Sequence, residues 1–410
     1  MSLIGGFRSD TVESIKGCCA EEAKNPPIAR KYGDIPVSYD SITREWLTAT
    51  LARDRKDTSV KNFALGPEDN GSSERRRIDI EWEGAEADKM PKSVFCKAAH
   101  SINNRITLSV GGTYTEVCFF NEVRPLIEIE APTAYFAGYN PDSWAAMIML
   151  KDMGSATHFC TYKTALTKVQ FAEQFQILAK LHGRFYQSKE PFFPRLLHYK
   201  DRIQNLISIG IEDACRNGFR EARREIPPRL FAREAEIWPA TLKSVERNAS
   251  LPETTVHGDV HLGMNPRDWS YRDREWLTME TSRNLGNWYI TPSGHMGLAD
   301  WQAMARGHWS RDVAYVLGTG VPTEKRRLWD KEMVELYLFE FEKAGGPKVT
   351  VDEAWLEIRR QSLGALAYWT LTLTPSKLMP DMQTEATTRD FLGRICDFMD
   401  DHDVLDAFDF

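Results

Sequence analysis

Nowhere in this chain does an apolar run approach the roughly 18 residues that a membrane-crossing helix requires. Residues 1–34 contain no apolar secretory core either. The expectation is therefore a cytoplasmic protein with no membrane partner. Cysteine is sparse: Cys18, Cys19, Cys96, Cys118, Cys160, Cys215 and Cys396 make seven, an odd number without metal-ligand spacing. That pattern argues against a disulfide framework and suits reduced thiols. An excess of positive charge is also missing. Lys and Arg total 52 against 59 Asp and Glu, a net charge of -7, which argues against nucleic acid or an anionic membrane as the main partner and leaves room for a local basic pocket. What is present is a chain of 410 residues, 42% hydrophobic and 27% charged, long enough for two parts with real cores.

Taken in order, residues 1–34 read as a loose leader, because Asn25-Pro26-Pro27 stops any helix begun near Val12. The first firm helix is expected after a cap at Asp40 or Thr43, with Trp46, Leu47 and Leu51 on one face. Residues 60–98 then alternate with period two, as in Arg77-Ile78-Asp79-Ile80-Glu81-Trp82, which predicts strands. The turn at 66–73 does not spell Gly-x-Gly-x-x-Gly. It is either an ordinary hairpin or a phosphate-covering loop in which Ser72 and Ser73 offer donors. Lys97 closes the apolar strand Ser93-Val94-Phe95-Cys96, where an amine is costly to bury unless paired. Residues 132–152 read as two strands, the second being the apolar run 145–150, broken by Lys151-Asp152-Met153-Gly154.

Beyond that break the pattern becomes helical. Phe171, Phe175, Leu178, Leu181 and Phe185 form one stripe, and His182 within it reads as a packing residue. Two further helical stretches are expected in 188–255, interrupted by Pro191, Pro194, Pro227 and Pro228, and others near 325–343 and 352–373. Trp355, Tyr368 and Trp369 either line a pocket or pack a core. The acidic, aromatic tail 397–410 is expected to be solvated.

Two short segments carry chemistry. One is His257-Gly258-Asp259-Val260-His261-Leu262-Gly263 and the other is Gly297-Leu298-Ala299-Asp300-Trp301-Gln302, followed by Trp309-Ser310-Arg311-Asp312-Val313-Ala314-Tyr315. They resemble the catalytic and metal-binding loops of kinases. Phosphoryl transfer needs one carboxylate to orient the attacking hydroxyl, and a second carboxylate with an amide oxygen to hold magnesium. A protein kinase is disfavoured by Gly258, by His261 where such an enzyme has Lys, and by Asp300-Trp301-Gln302 in place of Asp-Phe-Gly. Across roughly residues 36–375 the chain is instead similar to the aminoglycoside and choline kinase group, and within it to the ecdysteroid-kinase-like branch.

That resemblance implies an α+β, bilobal, protein-kinase-like fold. A small β-rich lobe would span 35–150, a hinge 151–154, and a larger, mostly helical lobe 155–410. It implies ATP and Mg2+ as cofactors and a small-molecule hydroxylated acceptor. Asp259 would orient the acceptor, Asp300 and an Asn would hold the metal, and Lys97 would hold phosphate. Glu116 would fix Lys97, with Glu122 as its rival. The backbone of Met149, Leu150, Lys151, Asp152 and Met153 would meet the adenine. His257 and His261 would support the loop, and Asp312 would brace it.

One departure stands out. The resemblance places the metal-binding Asn five residues after the catalytic Asp, but position 264 is Met and Asn265 falls one place late. Leu285-Gly286-Asn287-Trp288 repeats the Leu262-Gly263 boundary, so removing residues 264–286 puts Asn287 in the expected place. Those 23 residues read as an insertion, and codons at its ends permit GT and AG boundaries, as in a retained intron. Asn287, not Asn265, is expected beside Asp300, and the insertion is expected to be poorly packed. A nucleotide-binding pseudokinase or interaction protein, with its loop disabled by the insertion, is the alternative function.

Overall fold

The computed structural model describes residues 9–71, 73–109, 111–208, 210–263, 286–375 and 383–408. Its first element, helix α1 (Ser9–Lys24), departs from the loose leader expected there. The helix ends where Asn25-Pro26-Pro27 begins, but Ile15 is fully buried and Glu22 Oε2 accepts a 2.6 Å hydrogen bond from Arg105, 83 residues further on. Helix α2 (Arg44–Leu51) begins at Thr43, whose side chain accepts the Trp46 N–H, and it turns Trp46 and Leu47 fully inward.

The alternating segments form a sheet. Strands β1 (Thr58–Leu65), β2 (Asp69–Asn70), β3 (Glu74–Gly84), β4 (Ser93–Ala99), β5 (Ala134–Tyr139) and β6 (Ala146–Lys151) pair antiparallel in the order β1-β3-β4-β6-β5, with β2 on β3. Every second residue, among them Ile78 and Ile80, Val94 and Cys96, Met147 and Met149, joins the cluster around Trp46. Two short helices, α3 (Ile102–Leu108) and α4 (Gly112–Cys118), follow β4.

The rest is mainly helical. Helix α5 (Lys168–Arg184) opens with a capping box of Thr167 and Gln170. It buries Phe171, Phe175, Leu178 and Leu181 completely, each contributing about 1.5–3 kcal/mol of transfer free energy. Four helices occupy the stretch where two were expected: α6 (Tyr199–Ile207), α7 (Ile211–Glu221), α8 (Pro228–Phe231) and α9 (Glu234–Ser250). Pro228 starts α8 rather than merely breaking a helix, because the first turn needs no N–H there. Helix α10 (Ser310–Thr319) is buried along its whole length. Helix α11 (Thr323–Lys343) lies on α5, and α12 (Val351–Leu373) touches α7, α9, α10 and α13 (Glu385–Asp401). The tail is not solvated as expected: Val404 and Leu405 are buried, and Arg229 and Arg327 tie down Asp400 and Asp401 at 3.0 and 2.8 Å. Asp400, Asp401 and Asp403 are partners of arginines on other helices.

Short strands hold the chemical segments between these helices. β7 (His158–Phe159), β9 (Trp288–Ile290) and β10 (Met296–Leu298) form one antiparallel sheet, and β8 (Thr254–Val256) pairs with β11 (Ala305–Gly307). Among the described residues no helix is long and apolar enough to cross a membrane.

Candidate active site

Strand β8 delivers His257 into the interior, and the chain then turns through Gly258 at φ +87°. A Cβ there would sit 2.4 Å from the Ala303 carbonyl oxygen, so both the left-handed turn and the close approach require glycine. The turn is clamped from below by Asp312 in the first turn of α10. Its carboxylate accepts the His257 N–H at 2.6 Å and the Gly258 N–H at 3.1 Å, and it meets Arg311 at 3.2 Å and His182 at 3.4 Å. Burial raises the Asp312 pKa, but the hydrogen bond and charge of His182 and the charge of Arg311 outweigh it and hold the group below the usual carboxylate range. His182 is thus a buried packing residue that also supports the loop, with Tyr337 on its other nitrogen at 2.8 Å.

His257 links the two chemical segments. Its Nδ1 accepts the Asp259 N–H at 3.2 Å and its Nε2 donates to the Ala299 carbonyl at 2.9 Å. Burial depresses its pKa, which keeps the ring neutral and Nδ1 able to accept. Asp259 itself keeps 34% of its side chain exposed. Its Oδ2 accepts Asn287 Nδ2 at 3.1 Å and lies 3.5 Å from His261 Nε2, while Tyr315 donates to Oδ1 at 3.4 Å. Although burial works the other way, the His261 charge and hydrogen bond hold the Asp259 carboxyl at about 2. His261 is raised in turn, its own burial being outweighed by Asp259.

Asp300 adopts φ +59°, uncommon for a residue with a side chain. Its Oδ1 lies 2.7 Å from Lys97 Nζ, and the same amine is 2.7 Å from Glu116 Oε2. Lys97 does not end the strand as expected but lies within β4, two residues before Ala99, and is only 6% exposed, so this pairing answers the cost of placing an amine inside an apolar strand. Burial lowers the Lys97 pKa, but Asp300 and Glu116 raise it on balance. Asp300 is held down by Lys97 against its burial. Glu116, the more deeply enclosed carboxylate, is raised to about 7, by burial first and with the Asp300 charge adding to it. Helix α4 carries Glu116 and docks on the loop after Asp300: Thr115 Oγ1 donates to the Gln302 carbonyl at 2.8 Å, and Trp301 stacks on Phe119 with centroids 3.6 Å apart. The rival Glu122 pairs with Arg195 instead.

Asn287 lies beside Asp259, its Nδ2 also donating to the Asp259 carbonyl, and its backbone carbonyl accepts the Ala299 N–H at 2.7 Å. It is held there by Trp288, whose indole N–H donates to the Val260 carbonyl at 2.9 Å. Gly263 and Gly286, which bracket residues 264–285 in sequence, abut. A Cβ on Gly286 would lie 2.3 Å from the Gly263 nitrogen, and the Gly263 N–H donates to the Cys160 carbonyl at 2.9 Å. Asn265 and the expected poor packing of the insertion lie outside the described residues, as does Ser72.

The remaining residues are placed as follows. Ser73 is enclosed at 1% exposure, and its hydroxyl has no partner among the described residues. Met149 is buried in the sheet, Leu150 and Met153 are half-buried, and Lys151 is exposed. Asp152 accepts the Ser93 hydroxyl at 2.7 Å. Trp369 packs on Phe391 and His261 at centroid distances of 4.6 and 5.3 Å, and Trp355 stacks on His402. Tyr315 was not singled out from the sequence. Its one signal was its place three residues after Asp312, which puts both on one side of a helix.

Because Asp312 is buried and its hydrogen bonds end on backbone N–H groups, Asp312→Ala is expected to destabilise the protein by about 3–5 kcal/mol. Denaturant unfolding measures it. The folded pKa lies below the unfolded one, so this contribution is complete above the unfolded pKa and is lost as pH falls through the folded value. Unchanged stability at neutral pH would show that the clamp carries no weight.

Compared by sequence, the chain matches no family model and no curated protein. Compared by structure, it is similar to choline kinase LicA of Streptococcus pneumoniae, at 11% identity over 85% of this chain and 94% of that one, with a TM-score of 0.43. It is also similar to the microcompartment-associated aminopropanol kinase, at 14% identity over 82% and 90% of the two chains, TM-score 0.47. A third similar structure is aminoglycoside phosphotransferase APH(3'')-Id of Streptomyces rimosus, at 12% identity over 80% and 98%, TM-score 0.40.

Proposed function

We propose that the protein is an ATP-dependent phosphotransferase that moves the γ-phosphoryl group to a hydroxyl of a small molecule, within a bilobal, kinase-like arrangement. The observation that carries this reading is the Lys97 amine held 2.7 Å from both Glu116 and Asp300, on the same loops that bring Asn287 to Asp259. Asp259 orients the acceptor hydroxyl. Its carboxyl, at about 2, is too weak a base to hold a proton for long, which suits a loose transition state in which positioning counts for more than deprotonation.

The donor set fits magnesium. Asp300 offers a carboxylate, and Asn287, with Nδ2 committed to Asp259, offers Oδ1. Two hard oxygens, completed by phosphate oxygens and water, are what this ion takes in nucleotide sites. When bound, the ion would spread the charge of the phosphates. Lys97 holds a phosphate, Glu116 keeps the Lys97 amine in place, and His257 and Asp312 fix the loop that carries Asp259. The backbone at 149–153 is the proposed seat of the adenine. Ser72 and Ser73 remain the proposed phosphate donors of the turn, Ser73 requiring that its enclosed hydroxyl be opened. A cytoplasmic location accompanies this reading.

The test is a screen of hydroxylated metabolites with purified protein and Mg·ATP, followed by product phosphate, beside a thermal-shift measurement of Mg·ATP binding. Transfer to an acceptor, and loss of the Mg·ATP shift in Lys97→Met, are expected. A Mg·ATP shift without transfer to any acceptor would favour the pseudokinase reading. Absence of both would remove the nucleotide site altogether.

A further inference from the structure

Two side chains of one helix meet the loop that carries Asp259. Helix α10 is buried along its whole length, so it is the fixed side of this contact and the loop is the side that has to be held. Asp312, in the first turn of α10, holds the backbone by accepting the His257 and Gly258 N–H groups at 2.6 and 3.1 Å. Tyr315 stands three residues further on and on the same side of the helix. Its hydroxyl donates to Asp259 Oδ1 at 3.4 Å, and the residue is only 3% exposed. Asp312 sets the path of the loop but leaves the Asp259 side chain free to turn about its last bond. Tyr315 acts on that turn.

The two carboxylate oxygens of Asp259 are not equivalent. Oδ2 accepts Asn287 Nδ2 at 3.1 Å and faces His261 Nε2 at 3.5 Å. Oδ1 has Tyr315 as its one hydrogen-bond partner among the described residues. Each carboxylate oxygen can accept two hydrogen bonds, so Oδ2 is taken up by the loop and Oδ1 has a place left. With 34% of the Asp259 side chain exposed, that place is where an acceptor hydroxyl would be received. The terminal torsion of an aspartate is soft and roughly two-fold, so without a donor on Oδ1 the oxygen that receives the hydroxyl is not fixed in direction. A buried phenol on a buried helix supplies that donor.

We propose that Tyr315 is a positioning residue that aims Asp259 Oδ1 at the acceptor hydroxyl. This rests on the phosphotransferase reading above. In the step, the acceptor oxygen forms a bond to the γ-phosphorus while the bond to the β,γ-bridging oxygen breaks. ADP leaves with that electron pair, the acceptor proton passes by way of Asp259 Oδ1 to solvent, and Tyr315 keeps its own proton throughout. Its part is geometric, so its removal slows transfer and leaves nucleotide binding alone.

The experiment is a double-mutant cycle on the full-length protein, with Mg·ATP and a found acceptor, read by single-turnover kinetics. Tyr315→Phe removes one oxygen and keeps the ring. Its kcat is expected to fall about tenfold, the lower end for a hydrogen bond to a charged group, with KM for ATP and the Mg·ATP thermal shift unchanged. In Asp259→Ala no carboxylate remains to be aimed, and adding Tyr315→Phe there is expected to change the residual rate by less than about twofold. A hydroxyl with a purely structural role would cost the same factor in both backgrounds. That result overturns the proposal, as does an unchanged kcat in Tyr315→Phe, a loss that falls on KM for ATP, or a Tyr315→Phe protein that does not fold. The phosphotransferase reading fails separately, when the wild type phosphorylates no acceptor and Mg·ATP gives no thermal shift, and the proposal falls with it.

Discussion

Asp259→Asn is expected to lower kcat for phosphoryl transfer by about a thousandfold, within the 10²–10⁴ range for a positioned acid or base, with a much smaller effect on KM for ATP. The substitution keeps the shape of the side chain and removes its charge. Asn287 Nδ2 and the Tyr315 hydroxyl, which donate to the carboxylate at 3.1 and 3.4 Å, would then compete for a single amide oxygen. His261 would lose the charge that raises its pKa and return toward neutrality. The acceptor hydroxyl loses its strongest acceptor of a hydrogen bond, so the loss falls on the transition state. Since the Asp259 carboxyl is held at about 2, the residue is ionised around neutral pH, and no acid limb of the wild-type rate profile near neutrality is assigned to it. Single-turnover kinetics with a found acceptor measure the effect. Near-wild-type turnover in the variant would mean that another group orients the hydroxyl.

Removal of residues 264–286 is the second large effect, and a gain is expected. The deletion joins Gly263 to Asn287 at a point where Gly286 already abuts Gly263. Chain closure contributes little either way, because its entropy changes by only about 0.6 kcal/mol per doubling of length. Position matters more. A 1 Å misplacement of catalytic groups costs on the order of a hundredfold in rate, and Asn287 is the residue that directly follows this segment in sequence. Its link to Asp259 becomes short and local in the shortened chain, which is expected to phosphorylate faster than the full chain by up to that hundredfold factor. Paired rate measurements under identical Mg·ATP decide it. A shortened chain that does not fold, or one that is no faster, would show that the segment belongs to the working site.

The residues that gather at the site were legible because each lies in a run whose local structure is decided by its neighbours. His257-Gly258-Asp259 is a strand end and a glycine turn, and Asn287-Trp288 opens a strand. Lys97 lies in an apolar strand that could accept an amine only with a partner, and the structure supplies Glu116 and Asp300. The sheet could be read from alternation and α5 from its apolar stripe. What could not be read depends on contacts across long stretches of sequence. Residues 9–24 look like a leader until Arg105 reaches Glu22 and Ile15 is buried. The acids of the tail look solvated until arginines from α8 and α11 meet them. Trp355, Tyr368 and Trp369 share helical spacing, and nothing local separates Trp355, stacked on His402, and Trp369, packed on Phe391, from Tyr368, whose ring centre lies 5.7 Å from the Arg311 guanidinium.

The adjacency of Gly263 and Gly286 also has a use. Gly263 and Gly286, which bracket residues 264–285 in sequence, meet at one doorway immediately before Asn287. Any autonomous module whose own termini lie close together can be hung there without altering the path of the rest, the situation in which guest domains are best tolerated. A guest that binds a small molecule and stiffens would pull on the doorway and so on Asn287, so that any activity of the site would answer to the guest's ligand. The position is a natural splice point for a man-made, ligand-gated version of the protein.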